Sequence, residues 1–298
     1  MTMKIDRLIC TIFFAMILFS CQKENINQPD SPAVVEAATA NVNTVCDYVF
    51  DANTLTGWTP VFNEEFDGSS VNTANWNIWT GGAFNNELQY YQGANLVVSN
   101  GLLSIVAKKE KISGVTTPFT TRLSNFNYTS GRIESKALYS ATAGSSKIRM
   151  IARIQLPQGY GMWPAFWSYG DPWPTQGEID ILEARGQEPN TYYTNYFYGT
   201  QANRNLVSNA SSTINSSASL QTCWHVYELI WEQTALKFYL DGQLVDTKTG
   251  GYVADLFGKQ EKIVLNLAVG GRFFSRLSTR DIVPGTMYID WVRVYKQG

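Results

Sequence analysis

The sequence predicts an all-β protein built as a single β-sandwich, and three observations carry that prediction. Apolar and polar residues alternate over short stretches, turn residues punctuate those stretches, and no run of three helical turns has an apolar face. Ile148, Met150, Ala152 and Ile154 alternate with Arg149, Ile151, Arg153 and Gln155. Near the C-terminus Met287, Ile289 and Trp291 alternate with Tyr288, Asp290 and Val292. A period of two places each set on one face of a strand. Leu236, Phe238 and Leu240 run into Asp241-Gly242, a dipeptide suited to the positive φ angles of a two-residue hairpin turn. Many short strands and Gly-rich turns over roughly 240 residues fit one sandwich of two packed sheets.

Composition removes several function classes. Net charge is −2 over 298 residues with no basic run, so nothing offers the electrostatic footprint a nucleic acid needs. There is one histidine, His225, which excludes a multi-histidine zinc site and makes any Ser-His-Asp triad depend on that residue alone. In Trp224-His225-Val226-Tyr227 it reads as a strand residue with a structural hydrogen bond. Acid–base chemistry would then fall to carboxylates. Aromatic residues make up 13% of the chain, often in polar company. Core packing takes much of that; a cleft in which aromatic rings stack on sugar rings would take the rest.

The N-terminus reads as an export signal. Lys4 and Arg7 precede an apolar run from Leu8 to Phe19 that is too short to span a bilayer. The run ends in Leu18-Phe19-Ser20-Cys21, which resembles a bacterial lipoprotein signal in which the cysteine, here Cys21, carries the lipid. The expected organisation is a signal peptide over 1–20, a flexible tether or extension over 21–56 and one domain over 57–298. The protein would then be an exported lipoprotein of the cell envelope, membrane-bound only through that anchor; the alternative is an ordinary cleaved signal and a secreted protein. Cys46 and Cys223 remain, either as one disulfide stapling the extension to the domain or as two buried thiols.

The chemistry concentrates in Gly177-Glu178-Ile179-Asp180-Ile181-Leu182-Glu183. Three carboxylates in six residues of an apolar strand are costly unless they face a wet cleft. Glu178 and Asp180 are two apart and share a face. Glu183 is five from Glu178, so a regular strand would point it the other way, and a β-bulge after Asp180 would bring it back. Two carboxyl groups flanking a glycosidic bond are the minimum needed to hydrolyse it, one attacking the anomeric carbon and the other protonating the leaving oxygen. Near neighbours on one strand suit the short separation, about 5 to 5.5 Å, of retaining enzymes.

These residues resemble the signature of glycoside hydrolase family 16 in its bulged, laminarinase-like form. Further blocks follow in family order: Glu64 to Gly68, Asn86 to Tyr91, Tyr128 to Arg132, Gly161 to Trp167, His225 to Tyr227, Asn266 to Gly271 and Ile289 to Tyr295. The resemblance implies a concanavalin A-like jelly roll, two antiparallel sheets with a concave substrate cleft. It implies Glu178 as nucleophile, Glu183 as general acid/base and Asp180 as assisting acid. It places Trp163 and Trp167 beside the cleft, and Asn86 and Arg149 near the donor-side subsites. It matches Asp290 to a position that often binds a structural calcium, and asks for no cofactor in catalysis.

Two departures from the family pattern stand out. Ile151 replaces an acidic residue, and Tyr196-Phe197-Tyr198-Gly199 lacks the histidine usual before Tyr-Gly. Apolar groups at these positions, if near the cleft, would change which hydroxyls are read. The expected activity is endo-hydrolysis of β-1,3-glucan by a monomer. Alternatives are a mixed-linkage glucanase, a galactan- or poly-N-acetyllactosamine-directed hydrolase, and a transglycosylase. A non-catalytic glucan-binding protein would be expected to lack the acids present here.

Overall fold

Two eight-stranded sheets pack face to face in the computed structural model, which describes residues 38–207 and 211–298. The signal segment, with Cys21, lies outside the described residues. One sheet carries the cleft. Its order is Thr39–Val42, Ser212–Ser216, Thr191–Phe197, Glu178–Ala184, Met162–Tyr169, Lys262–Val269, Arg132–Ser135 and Trp76–Ile78. The back sheet runs Gln243–Thr249, Ala235–Leu240, His225–Glu232, Lys147–Gln155, Thr286–Gln297, Leu102–Val106 and Leu96–Ser99, with Thr59–Glu64 also paired to Thr286–Gln297. Pairing is antiparallel in both sheets except at the edge strand Thr39–Val42. Among the described residues no helix is long and apolar enough to cross a membrane.

The alternation seen in the sequence sets the sandwich core. Ile148, Met150, Ala152 and Ile154 of the back sheet meet Phe166, Ile179, Leu182 and Leu265 of the cleft sheet in one buried cluster. Each Ile, Leu, Met or Phe side chain among them, fully buried, contributes about 1.5–3 kcal/mol. Asp241 and Gly242 both have positive φ (52° and 73°), forming the predicted hairpin turn. The Asp241 carboxylate takes the Val226 N–H at 2.9 Å and lies 2.6 Å from His225 Nδ1, so the one histidine is structural.

The C-terminal strand departs from the simple alternation. Its pairing with Lys147–Gln155 jumps from Arg153↔Trp291 to Ile154↔Ile289, which leaves Asp290 as an extra residue. The phase flips there: Met287, Ile289, Val292 and Val294 face the core, whereas Trp291 joins a cluster on the outer face. The Asp290 carboxylate accepts from Arg153 at 2.7 Å, and no group of three metal-binding side chains occurs among the described residues, so a calcium site at Asp290 is not shown.

The outer face of the back sheet is covered by the chain's own N-terminal segment, which corrects the boundary expected at residue 57. Thr39–Val42 adds to the cleft sheet, and Cys46 is disulfide-bonded to Cys223. Tyr48, Phe50, Leu55 and Trp58 then pack over Ile151, Val226, Trp291 and Tyr295. Residues 39–58 are thus a strap, because their apolar side chains find an apolar patch to bury. This placement corrects two further expectations. Arg149 points to the outer face, bonded to Glu228 (2.8 Å) and to the Thr54 carbonyl (2.8 Å), and takes no part in the cleft. Ile151, two residues on and on the same face, is buried under the strap, so its replacement of an acid alters strap packing and not sugar recognition. Reduction of the disulfide, or Cys46→Ser, should lower the melting temperature by about 5–15 °C, from about 2–4 kcal/mol lost in a domain of this size. Calorimetry with and without reductant checks this. Turnover should be unchanged, since Thr39–Val42 lies at the far edge of the cleft sheet and the rest of the strap covers the face away from the cleft.

Candidate active site

The Glu178–Ala184 strand solves the odd spacing of its acids by carrying one residue too many. Against Met162–Tyr169, Leu182 pairs with Phe166 and Asp180 with Trp167, so Ile181 has no partner. Against Thr191–Phe197, Asp180 pairs with Asn195 and Glu183 with Tyr193, so Ile181 and Leu182 share the space of Thr194. Ile179, Ile181, Leu182 and Ala184 all turn into the core, while Glu178, Asp180 and Glu183 all line one cleft of about 560 Å³. Two adjacent apolar residues facing inward are what returns Glu183 to the face of Glu178. Behind them the buried Thr194 hydroxyl donates to Asp246 at 2.6 Å, and Asp246 is paired with Lys248 at 2.8 Å.

Indole N–H groups hold the two outer acids separately. Trp173 donates to Glu178 Oε2, and Trp163 donates to Glu183 Oε1 at 3.0 Å. Trp163 also stacks on Phe273 with centroids 4.8 Å apart, which fixes the ring plane beside Glu183. Trp167 faces the cleft and not the core, its N–H donating to Asn266 Oδ1 at 2.7 Å. Arg132 lies beneath, 4.2 Å from the Trp79 ring and 5.0 Å from the Trp167 ring, with its charge met by Glu134 at 2.6 Å. Asn86 is exposed in a tight turn where Asn85 and Asn86 both have positive φ (58° and 57°); its neighbours Asn85 and Glu87 line the cleft in its place. Phe197, the residue standing where the family has histidine, pairs with Glu178 across the strands and lines the cleft.

Burial raises all three acids. Glu178 is pushed up to about 8, first by desolvation and then by the charge of Glu183, against the Trp173 N–H, Arg132 and a hydrogen bond from Asp180. Desolvation raises Glu183 to about 7, against the Trp163 N–H and Arg185. Asp180 is raised well above its ordinary value, by desolvation and then by Glu183, Glu178 and Glu261. Acids buried this deeply and this close do not all carry charge together, so they titrate as a set. When Glu183 keeps its proton, its repulsion on Glu178 vanishes, while Trp173, Arg132 and Asp180 still favour a charged Glu178. One ionised acid beside one protonated acid, walled by indole rings, is equipment for cutting a bond between two sugars.

Residues 84–293 match the model of the family described as glycosyl hydrolases family 16. The chain belongs to that family. It is 32% identical over 271 residues to glucan endo-1,3-beta-glucosidase A1 of Niallia circulans, covering 82% of this chain but only 38% of that protein. It is 30% identical over 261 residues to a beta-glucanase of Rhodothermus marinus, covering 80% of this chain and 85% of the relative. The crystal structure of an endo-1,3-beta-glucanase from Streptomyces sioyaensis superposes with a TM-score of 0.68 at 30% identity, over 82% of this chain and 98% of the other. The fold of this family 16 chain is the jelly roll of those enzymes.

Sequence reasoning missed several cleft residues. Arg132 and Asn266 stood inside family blocks without a role, because a lone Arg or Asn in a strand carries no periodic signal. Trp79 and Trp173 lie outside those blocks. The flanking Pro172 and Pro174 were the one local sign that Trp173 sits in a fixed turn at the cleft mouth.

Proposed function

We propose that this family 16 chain is an endo-acting β-1,3-glucanase that retains anomeric configuration by double displacement. The observation that carries the reaction is the pair Glu178 and Glu183 on one cleft face, each hydrogen-bonded by its own tryptophan. In the first step the Glu178 carboxylate bonds to the anomeric carbon as the glycosidic C–O bond breaks, and Glu183 gives its proton to the leaving oxygen. In the second, Glu183 takes a proton from water, the water oxygen bonds to the anomeric carbon, and Glu178 is released as a carboxylate. Asp180, protonated, donates to Glu178 throughout and limits the charge in the cleft. Trp163 and Trp167 would offer ring faces to sugar units on either side of the cut. The extra residue after Asp180 is in this reading the bulge of the laminarinase-like form. The β-1,3 linkage is supported by the names of the relatives. Product chromatography on laminarin, mixed-linkage glucan, agarose and mucin glycans tests it: short oligosaccharides of mixed length from laminarin are expected, and turnover confined to a galactan or mucin glycan would overturn it.

The pH dependence follows from Glu183. A general acid raised above its ordinary value works while it holds its proton and fails once it is lost, so turnover should fall on the alkaline side as the Glu178–Glu183 pair gives up its second proton. The Trp163 N–H favours the charged form of Glu183, so Trp163→Phe should move this alkaline limb to higher pH. A kcat profile of both proteins checks the sign, and a downward move would remove Glu183 from the role of acid.

We further propose that the mature protein is held to the cell envelope by lipid on Cys21. Cys21→Ser should release it to the soluble fraction, because one acylated residue supplies the membrane affinity. Wild-type protein without acyl chains by mass spectrometry would end that reading.

A further inference from the structure

Two phenylalanines stay exposed where the cleft runs out past Trp79. Phe84 is 54% exposed and Phe119 77% exposed, although both line the cleft that holds the acids. Their rings meet Trp79 nearly edge-on, at 6.3 Å and 72° and at 5.4 Å and 88°. Trp79 itself is buried: Arg132 lies against its face and its N–H is given to the Gly82 carbonyl at 3.0 Å. The tryptophan is therefore the support, and the two phenylalanines are the open surface.

Phe119 is held there by built structure. It stands at the tip of a hairpin, Ile112–Val115 with Leu123–Phe126, that forms a two-stranded sheet apart from the sandwich. Such a hairpin is marginal alone, so its attachments matter. Thr116 N–H donates to the Arg122 carbonyl at 2.8 Å across the tip, and Gly82 N–H donates to the Val115 carbonyl at 2.9 Å. A side chain on Gly82 would stand 2.6 Å from the Thr116 oxygen, and one on Gly114 would stand 2.2 Å from the Tyr90 ring. The two glycines let the hairpin lie flat on the segment that carries Phe84. An apolar ring fixed in this way touches Trp79 only by an edge contact and leaves most of its surface in water, which points to an occupant.

We propose that Phe84 and Phe119 form a distal subsite that takes a glycosyl unit of the same polysaccharide chain that lies across Glu178 and Glu183. The surface is continuous with the catalytic cleft, and a neutral sugar ring offers the C–H face that aromatic rings stack on. Four strand spacings separate the Trp76–Ile78 strand from the Glu178–Ala184 strand, about 19 Å at the usual interval. A chain that crosses the cleft from the Glu178–Ala184 strand toward the Trp76–Ile78 strand, which Trp79 follows, spans several sugar units. The inference rests on the glucanase reading and adds to it a preference for long chains.

The test is chain-length dependence in the full chain, with β-1,3-glucan oligosaccharides from the trisaccharide upward and polymeric laminarin. Phe119→Ala and Phe84→Ala should each raise KM for the polymer about three- to tenfold, the range of one aromatic contact, with kcat little altered because remote binding is uniform. The ratio of polymer to trisaccharide kcat/KM should fall by the same factor. Leu123→Ala, on the same hairpin and 70% exposed but outside the cleft, controls for hairpin integrity and should leave the ratio at the wild-type value. An unchanged ratio in both phenylalanine variants overturns the subsite, as does an equal loss on trisaccharide and polymer. So does a wild-type dimer in sedimentation that Phe119→Ala dissolves, since the rings would then serve self-association. If wild-type protein cuts β-1,3-glucan of no length, the glucanase reading fails and this inference falls with it.

Discussion

Glu178→Gln should lower kcat by at least about 10⁴-fold, and Glu183→Gln by about 10²- to 10⁴-fold, while both variants melt no lower than wild type. The two halves of this expectation have one cause. Glu178 sits where burial and a second glutamate oppose its charge, raising it from 4.5 to about 8. A carboxyl whose folded pKa is raised binds its proton more tightly folded than unfolded. It therefore disfavours the folded state increasingly as pH climbs from about 4.5 to about 8. Glutamine carries no such penalty. Glu178→Gln should gain melting temperature relative to wild type across that window, with the gain levelling off above it. Thermal melts from pH 4 to 9 beside a laminarin assay read both effects. A Glu178→Gln protein with near-native turnover would remove the nucleophile from the mechanism.

The same physics explains which features were legible in the sequence. Strands with one face in the core announce themselves by period two, as Ile148 to Ile154 do, and many such stretches between turns made the sandwich legible. The acids were legible because charge in an apolar strand needs a reason, and their spacing called for an extra residue that the pairing contains. Outer-face features were not legible. Arg149, Ile151 and Asp290 alternate with core residues just as cleft residues do, and a strand pattern gives two faces without saying which of them meets substrate. Residues 39–56 fall within the stretch expected as a tether or extension; Tyr48, Phe50 and Leu55, with Trp58, settle on a patch made of Ile151, Val226, Trp291 and Tyr295, which no local signal encodes. The flip at Asp290 was hidden for a similar reason, since one unpaired residue changes the phase without changing composition.

Deleting Leu182 should give a folded, weakly active protein, whereas deleting Ile179 should unfold the domain. Ile181 and Leu182 are both buried, yet together they oppose only Thr194 on one side, and on the other Ile181 faces no residue. Loss of Leu182 lets Ile181 take its place against Phe166. Glu183 then stands at an even offset from Glu178 and keeps its face. The cost is one buried side chain, about 2–5 kcal/mol, which lowers the melting temperature by about 5–15 °C. Turnover should drop about a hundredfold, because the acid moves by an amount of order 1 Å relative to the nucleophile. Ile179 has the same size and burial but lies in regular pairing, opposite Ser168 and Tyr196. Its removal shifts the strand on one side of the gap by a full residue, turning either the core side chains or the acids to the wrong face. The two deletions remove equal mass from one strand, so a difference between their melts measures pairing register and not the loss of a side chain. If both proteins are unfolded, the residue after Asp180 is as necessary to the strand as any other, and the placement of Glu183 needs another account.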